Sequence, residues 1–326
     1  MKERKDLSCL HTHTTFCDGK AGIETMCEAA FARGFSSLGF SSHAPITKKT
    51  GIPSDWHMKE EKLNEYIGTI EAAKKRWKGK LTIYSGLEVD YIKGYCGPAD
   101  TDIQTLPLDY IIGSIHYLFS PKTGGIFNMD EYPENFCHNV LAHFDNDGKA
   151  LCEAYYDAYN SMVVEGCCDI LGHIDLIKKN NGPHKFFSPD DGWYRNCLKR
   201  SADLIAASCT ETGHGRSLTT ESDRMEWSGK VPVVEVNTGA MTRGYTAEPY
   251  PSPFMLSLLA ERNIPLVLTA DAHAPDHLGG SYEAAMQFMR QAGYTTMALF
   301  EGRLNGKTVW REAPIYYPLI SRIFTD

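Results

Sequence analysis

The stretch Asp109-Tyr110-Ile111-Ile112-Gly113-Ser114-Ile115-His116 is a short apolar run that ends in a histidine. A run of this length, rich in β-branched and aromatic residues, is typical of a buried strand in a parallel sheet. The same arrangement recurs along the chain, because residues 169–172 lead into His173 and residues 37–41 are soon followed by His43. The sequence therefore predicts buried strands whose carboxyl ends carry metal-binding side chains.

Segments with helical periodicity separate these strands. We predict strands at residues 6–10, 37–41, 81–89, 109–115, 169–173, 231–237 and 264–269, and helices at 22–33, 60–77, 149–165, 193–207, 252–263 and 282–291. Seven strands that alternate with helices favour an α/β barrel with a parallel sheet. An open doubly wound sheet fits the alternation almost as well, but the first strand-to-helix turn, at 14–22, lacks a Gly-x-Gly-x-x-Gly motif.

Three segments do not follow this alternation. Residues 117–148 are too irregular to assign, and the residues after 291 are expected to form a short tail. Residues 209–230 are polar and aperiodic, which predicts a surface insertion. With no linker evident, we expect residues 1–326 to form a single barrel domain.

Composition limits the possible partners and compartments. The 326-residue chain has a formal charge of −8 and lacks a basic stripe, which argues against nucleic acid as a partner. No run approaches the ~18 apolar residues of a membrane span, and the N-terminus does not resemble a signal peptide. The ten cysteines lack paired spacing and are interpreted as reduced thiols. These features predict a cytoplasmic enzyme with no membrane partner.

Metal-type side chains follow almost every predicted strand. His11 and His13 are two residues apart and so share one face of an extended chain, with Asp18 in the following loop. The full set is His11, His13, Asp18, His43, Glu88, His116, His173, Asp271 and His273. In a parallel barrel these positions meet at one end, where active sites lie.

The residue types indicate which ions would bind. Imidazoles and carboxylates without thiolates suit zinc, manganese or iron. Nine ligands exceed the needs of one ion, so we predict two or three divalent ions, with the two oxygens of Glu88 bridging a pair. Ions ~3.5–4 Å apart can bind a shared hydroxide that attacks phosphorus and can clamp a transferring phosphoryl group.

Other charged residues leave alternatives open. Arg243 is either a phosphate clamp or a solvated loop cation, and Asp175 either orients a ligand or caps the next segment. His277 is a candidate for the pocket lining. The remaining histidines are predicted to be ordinary surface residues; they are His57, His138, His143, His184 and His214.

Six motifs together resemble one known family. They are Leu10-His11-Thr12-His13 with Cys17-Asp18-Gly19, Phe40-Ser41-Ser42-His43-Ala44-Pro45, Gly86-Leu87-Glu88-Val89-Asp90-Tyr91, Gly113-Ser114-Ile115-His116-Tyr117, Gly172-His173-Ile174-Asp175 and Thr269-Ala270-Asp271-Ala272-His273. This set resembles the polymerase and histidinol phosphatase (PHP) superfamily, and within it the histidinol-phosphatase branch. The resemblance implies a distorted (β/α)7 barrel and hydrolysis of L-histidinol phosphate to L-histidinol and phosphate in histidine biosynthesis.

The resemblance also implies how three ions would be shared. The first would be held by His11, His13, Glu88 and Asp271, the second by Glu88, His116 and His173, and the third by Asp18, His43 and His273. Glu88, His116, Asp271 and Arg243 would then act in catalysis. The family usually has Asp where this chain has Ser42, which puts the support of the third ion in doubt.

Two other functions compete with this one. The chain could be a phosphoesterase or amidohydrolase with another substrate, or a non-catalytic module that keeps the fold. A non-catalytic module would be expected to lose ligands, and all nine are present. If the substrate is histidinol phosphate, its cationic amine needs a carboxylate or aromatic face, for which Tyr117, Asp130 and Glu131 are the candidates.

Overall fold

The strands of the described residues fall into three sheets. The computed structural model describes residues 7–184, 186–211, 224–226, 233–304 and 306–315. The strands of this part are β1 (Ser8–Cys9), β2 (Ser37–Phe40), β3 (Thr82–Asp90), β4 (Tyr110–Ser114), β5 (Tyr117–Phe119), β6 (Ile126–Asn128), β7 (Ile170–Leu171), β8 (Arg224–Glu226), β9 (Val233–Asn237), β10 (Leu266–Thr269), β11 (Thr296–Leu304) and β12 (Lys307–Pro314).

Helices connect most of these strands. They are α1 (Ile23–Ala32), α2 (Thr47–Thr50), α3 (Leu63–Arg76), α4 (Thr101–Gln104), α5 (Pro133–Phe144), α6 (Gly148–Glu165), α7 (Asn181–His184), α8 (Gly192–Glu211), α9 (Gly239–Thr242), α10 (Pro253–Glu261) and α11 (Tyr282–Gln291). None of the helices in the described ranges is long and apolar enough to cross a bilayer. The six predicted helices are confirmed, with ends that differ by a few residues.

Seven parallel strands form a nearly closed barrel. Their order is β1-β2-β3-β4-β7-β9-β10, and each neighbouring pair is parallel. The two edges meet just beyond β1 and β10, where the His13 amide donates to the Ala272 carbonyl at 2.9 Å and the Ala272 amide donates to the His11 carbonyl at 3.1 Å. The predicted α/β class, the seven strands and the distorted (β/α)7 barrel are therefore confirmed.

Helix α6 shows how the outer layer supports the barrel. Leu151, Tyr155, Tyr159 and Met162 recur at helical spacing and are fully buried. The Tyr159 hydroxyl donates to the Gly172 carbonyl at 3.0 Å, immediately before His173. This helix therefore both covers apolar surface and fixes the backbone that carries a predicted ligand.

An antiparallel hairpin closes the amino-terminal end of the barrel, opposite to the end that carries the predicted ligands. Strands β11 and β12 pair along almost their whole length, and Phe300 and Trp310 pack against Tyr110 and other strand residues in a core of their own. The expectation of a short tail after residue 291 is therefore wrong. Because Phe300 and Trp310 are buried, the hairpin is an integral part of the hydrophobic interior.

Part of the segment at 209–230 belongs to the same antiparallel sheet as the β11–β12 hairpin. Its first residues belong to α8, and Arg224–Glu226 form β8, which pairs with β12. The expectation of an aperiodic loop is wrong at these residues, because backbone pairing with β12 needs no side-chain pattern. The rest of the segment lies outside the described residues, and a single domain over 1–326 stays a prediction.

Residues 117–148, whose secondary structure could not be predicted from the sequence, form part of the wall around the end of the barrel that carries the predicted ligands. Strands β5 and β6 make a two-stranded hairpin directly after His116, and α5 follows it. Met129 returns to the site, since its amide donates to the His116 carbonyl at 2.8 Å. This excursion is therefore ordered around one of the predicted ligands.

Candidate metal centre

Glu88 lies at the middle of the candidate site. It sits near the carboxyl end of β3 and is 1 % exposed. One carboxylate oxygen, Oε2, is 3.1 Å from His11 Nε2 and 3.0 Å from His43 Nδ1. The other, Oε1, is 2.9 Å from His173 Nε2 and 3.6 Å from His116 Nε2. The two oxygens thus face different histidines, as a bridging carboxylate would.

A second carboxylate closes the site on the β10 side. Asp271 Oδ1 is 3.2 Å from His13 Nε2 and 3.4 Å from His273 Nδ1. Asp18, from the loop after β1, faces the other edge of the same histidines: its Oδ2 is 3.1 Å from His273 Nε2 and its Oδ1 is 3.6 Å from His13 Nδ1. The His13 and His273 rings stack at 4.0 Å between their centres.

All nine predicted ligands therefore converge at the carboxyl ends of the strands. Donor atoms of eight of them form three compact groups, each within 4.8 Å: His13, Asp18, His43 and His273; His11, His13 and Asp271; and His43, Glu88 and His116. The ninth residue, His173, contacts Glu88 Oε1 through its Nε2 at 2.9 Å. These groups resemble the three sets implied by the family, with His13 and His43 each lying between two groups. The ligand role of each residue stays a prediction, and the gathering of the nine side chains is observed.

The chemistry of the donor set fits metal ions. Six atoms of the nine side chains are buried without a hydrogen-bond partner among the described residues. Five of them face other members of the set, namely His11 Nε2, His13 Nε2, His43 Nδ1, Asp18 Oδ1 and Glu88 Oε2, and the sixth is His173 Nδ1. Leaving one buried polar atom unpaired costs about 1–3 kcal/mol, so five in one place need an explanation. Divalent ions bound among these atoms would satisfy them together.

Electrostatics keeps the carboxylates ionised. Burial by itself would raise the pKa of Glu88, but the imidazoles of His11, His43 and His116 hold that pKa well below its usual value. Burial, together with the neighbouring His273 and His43, lowers the pKa of His13 to about 3. An anionic carboxylate and a neutral imidazole are the protonation states that bind a metal. Next to the same carboxylates the pKa values of His11, His43 and His116 are raised, that of His116 to about 10, so these rings would release a proton when an ion binds.

A carboxylate to which the sequence assigned no role supports the first histidine. Glu235 is fully buried in β9, and its Oε1 is 2.6 Å from His11 Nδ1. Its Oε2 accepts the His173 amide at 2.8 Å, and the Thr269 hydroxyl donates to Oε1 at 2.6 Å. Glu235 therefore ties β9 to two ligands and orients the His11 ring. The sequence did contain a signal for this role, because Glu235 is the only carboxylate in an otherwise largely apolar predicted strand.

His57 is not the surface residue that the sequence predicted. It is 6 % exposed and its Nε2 lies 2.7 Å from Asp90 Oδ2. Among the other histidines assigned to the surface, His138 is exposed and His143 is partly buried against Phe127. The side chains of His184 and His214 lie outside the described residues.

Arg243 faces the site rather than the solvent. Its Nη1 donates to the Asp271 carbonyl at 2.9 Å, and its Nη2 lies 3.3 Å from Asp271 Oδ2. His277 also lines the cavity, with its Nδ1 accepting the His273 amide at 3.3 Å. Asp175, by contrast, accepts the Ser252 amide at 2.6 Å and so holds the start of α10. Neither role considered for Asp175 is observed among the described residues, because its side chain makes no capping bond to the segment that follows it and contacts no ligand residue.

Ser42, at the position where the family usually has Asp, does not leave a gap. Its Oγ lies 3.0 Å from Thr14 Oγ1, and its amide nitrogen donates to the Tyr66 hydroxyl at 3.1 Å. The residue therefore joins the end of β2 to the loop after β1. The backbone that carries His43 is fixed by these contacts.

The ligands lie at the floor of a large open cavity of about 1140 Å³. Its walls come from the loops that follow β2, β6, β7, β9 and β10. Carboxylates, amides and aromatic rings are common among the lining residues other than the nine ligands, which include Trp56, Asn128, Asp130, Glu131, Tyr132 and Asn180. The cavity is wide enough for a small organic phosphate above the ligands.

Comparisons with known proteins agree with this architecture. The PHP domain family model matches residues 10–210. The chain is 30% identical over 288 residues to the probable histidinol-phosphatase of Deinococcus radiodurans, covering 88% of this chain and 94% of that protein. It is 27% identical over 290 residues to the histidinol-phosphatase of Bacillus subtilis, covering 85% and 97%.

Solved structures share the fold at lower sequence identity. A candidate histidinol phosphatase from Listeria monocytogenes superposes with a TM-score of 0.69 at 20% identity, covering 85% of this chain and 99% of that one. Histidinol phosphate phosphatase from Lactococcus lactis, solved with zinc, L-histidinol and phosphate, gives 0.59 at 16% identity, covering 90% and 96%. The motifs, the barrel and the matching family model together show that this chain belongs to the PHP domain family.

Proposed function

We propose that this protein is a metal-dependent phosphomonoesterase that hydrolyses L-histidinol phosphate to L-histidinol and phosphate, with two or three divalent ions held by the nine ligands. The observation that carries the proposal is the convergence of these donors around Glu88 at the floor of the cavity. The histidinol-phosphatases from Deinococcus radiodurans and Bacillus subtilis, which match over most of their length, support the substrate.

Bound divalent ions would supply Lewis acidity toward phosphate oxygens and lower the pKa of a coordinated water. The first ion would be held by His11, His13, Glu88 and Asp271, the second by Glu88, His116 and His173, and the third by Asp18, His43 and His273. The zinc in the Lactococcus lactis structure supports zinc, while manganese and iron suit the same donors.

The protein's own cation supports phosphate binding. Arg243 is one-quarter exposed at the edge of the ligand cluster, and its planar guanidinium can donate to two phosphate oxygens. Its existing contacts to Asp271 orient it toward the cavity, so that little side-chain entropy remains to be lost when phosphate binds.

Glu131 is the best-placed group for the substrate amine. Of the three candidates, Tyr117 is buried and stacked on Trp56, and Asp130 already pairs with Lys179 at 2.6 Å. Glu131 lines the cavity with amide partners only, accepting from Asn128 and Asn135 at 3.2 Å. Its charge therefore has no cationic partner in the part of the chain described, and a substrate ammonium would provide one.

The test is a comparison of two phosphate esters. With the same zinc loading, we expect kcat/KM for L-histidinol phosphate to exceed that for glycerol phosphate at least about 100-fold, because contacts outside the phosphate create the preference. Glu131→Gln should lower kcat/KM for L-histidinol phosphate by about tenfold and leave glycerol phosphate unchanged, since a charged hydrogen bond contributes about 1.5–3 kcal/mol.

Glu134→Gln is the matched control, because Glu134 is an exposed carboxylate on the same segment. It should leave both substrates unaffected. Equal efficiency toward the two esters would indicate a general phosphatase, and activity toward amides rather than esters would indicate an amidohydrolase. No turnover of any ester by the metal-loaded protein would favour a non-catalytic module.

A further inference from the structure

His57 lies next to the metal centre but is not one of its nine ligands. It belongs to the loop between α2 and α3, and its ring lies against Trp56 with 3.8 Å between the ring centres and 39° between the ring planes. The imidazole Nε2 is 2.7 Å from Asp90 Oδ2, and the imidazole Nδ1 is 2.7 Å from Ser54 Oγ. Both ring nitrogens therefore have a partner within the protein.

These contacts decide between two roles for His57. By distance alone, His43, His57 and Asp90 are close enough to hold an ion. Metal binding would need a free lone pair on His57, and its two nitrogens are already engaged by a carboxylate and a hydroxyl. The geometry therefore favours a supporting role over ligation.

Asp90 is the group that His57 supports. It ends β3, two residues after Glu88, so that both side chains leave the strand on the same face. Its carboxylate is 1 % exposed and is divided between two imidazoles, with Oδ2 toward His57 and Oδ1 at 2.9 Å from His116 Nδ1. A buried carboxylate of this kind accepts one N–H from each ring.

The consequence for His116 is a fixed ring orientation. With Nδ1–H donated to Asp90, the lone pair of His116 lies on Nε2, which faces Glu88 Oε1 at 3.6 Å. A histidine that binds a metal through one nitrogen is usually oriented by a carboxylate at the other. Here the carboxylate itself is held by a second histidine and, through it, by Ser54.

We propose that His57 is a positioning residue: by holding Oδ2 of Asp90, it keeps Oδ1 on His116 and the His116 Nε2 directed at the metal shared with Glu88. The hydrogen bonds that link Ser54, His57, Asp90 and His116 in series also connect the loop that carries Trp56, in the cavity wall, to the metal centre. The inference rests on the proposed metal site and is independent of the substrate.

The experiment measures zinc release from the loaded full-length protein. His57→Gln keeps an N–H near the position of Nε2, whereas His57→Leu has a similar size and no donor. On mixing with an excess of a chromophoric chelator, we expect His57→Leu to release one zinc ion at least about tenfold faster than the wild type, and His57→Gln to stay within a few-fold of it.

Kinetics at saturating zinc gives a second signature. The kcat of His57→Leu should recover when zinc is added in excess, while the zinc concentration for half-maximal activity rises about tenfold or more. A merely structural role predicts a different result: both variants would lose thermal stability, and neither would change zinc release. That result, or equal zinc release from the Leu and Gln variants, would overturn the proposal.

Ser54→Ala keeps the proposal testable if His57→Leu does not fold. It leaves both rings in place but removes the hydroxyl that holds Nδ1, so zinc release should quicken severalfold; an unchanged rate would overturn the proposal. Because zinc release is measured without substrate, failure of this inference is distinguishable from failure to hydrolyse histidinol phosphate.

Discussion

At the scale of single residues, the site depends on carboxylates whose two oxygens do different things. Glu88 divides its oxygens between histidines from four strand ends, and Asp90 divides its own between His57 and His116. Glu235 does the same for His11 and the backbone of His173. Because each carboxylate is buried, its charge is stabilised by these partners and by hydrogen bonds from Ser114, Asn237 and Thr269, so the ring positions are strongly specified.

The position of Glu88 leads to a prediction about two substitutions. Glu88→Gln should reduce kcat by on the order of 1000-fold, because a neutral amide can no longer join two groups of ligands. His43→Asn should cost on the order of tenfold, since the two donor groups that include His43 both keep their other members. Turnover and metal content are measured for both variants. A Glu88 variant that is more active than the His43 variant would show that the bridge is assigned to the wrong residue.

At the scale of secondary structure elements, very short strands still hold the ligands in register. Strands β1 and β7 have two residues each, and hydrogen bonds beyond their ends continue the barrel. The Ser41 amide donates to the Thr12 carbonyl at 2.9 Å, and the Ala44 amide donates to the Glu88 carbonyl at 2.8 Å. The ligand loops therefore begin as extensions of the sheet, which gives their side chains defined directions.

The β11–β12 hairpin shows what an element far from the ligands contributes. It meets the strand residues at the amino-terminal end of the barrel, and Trp310 is fully buried there. Truncating a buried tryptophan typically costs about 3–5 kcal/mol, so Trp310→Ala should lower the free energy of unfolding by that amount and leave KM unchanged. Denaturant unfolding and steady-state kinetics measure the two effects.

Leu304→Ala is the matched control within the same hairpin, because Leu304 is 56% exposed. Its effect on stability should stay within about 0.5 kcal/mol, as is usual for surface positions. If Trp310→Ala were as stable as this control, the hairpin would not be part of the interior. If it raised KM, the two ends of the barrel would be coupled.

At the scale of the whole molecule, the candidate ligands join the first and the last strands of the barrel. His11 and His13 follow the first strand of the barrel, while Asp271 and His273 follow the last, and these pairs meet within 3.2–3.7 Å. An ion bound among them would link β1 to β10, the two strands between which the barrel closes. The metal would then stabilise the closed barrel in addition to its role in the reaction.

Metal removal should therefore affect both stability and activity. A ligand at 100 times its Kd stabilises the folded state by about 2.7 kcal/mol, so chelation should lower Tm by about 5 °C or more. Elemental analysis of chelator-free protein should give two or three ions per chain, and calorimetry compares the loaded and stripped forms. A stripped protein with unchanged Tm and full activity would contradict the multinuclear site.

The sequence by itself determined the seven barrel strands, the main helices and the nine candidate ligands. Periodicity and residue type are local properties, and parallel strands in a barrel must bring their carboxyl ends together. The paired strands β11 and β12 were missed, although Asn305-Gly306 between them is typical of a two-residue hairpin turn. Because this two-residue motif is local, it could have been used to predict the hairpin from the sequence.

Only the tertiary structure decided which side chains support the ligands. His57 is 33 residues from Asp90 in the chain, and His11 is 224 residues from Glu235, so that no local pattern relates the members of either pair. Likewise β8 is a strand because β12 offers it an edge, since the three residues Arg224–Glu226 are too short a run to predict a strand from their own pattern. Burial and pairing of this kind are properties of the closed barrel, because a polar side chain acquires its partners only when distant strands meet.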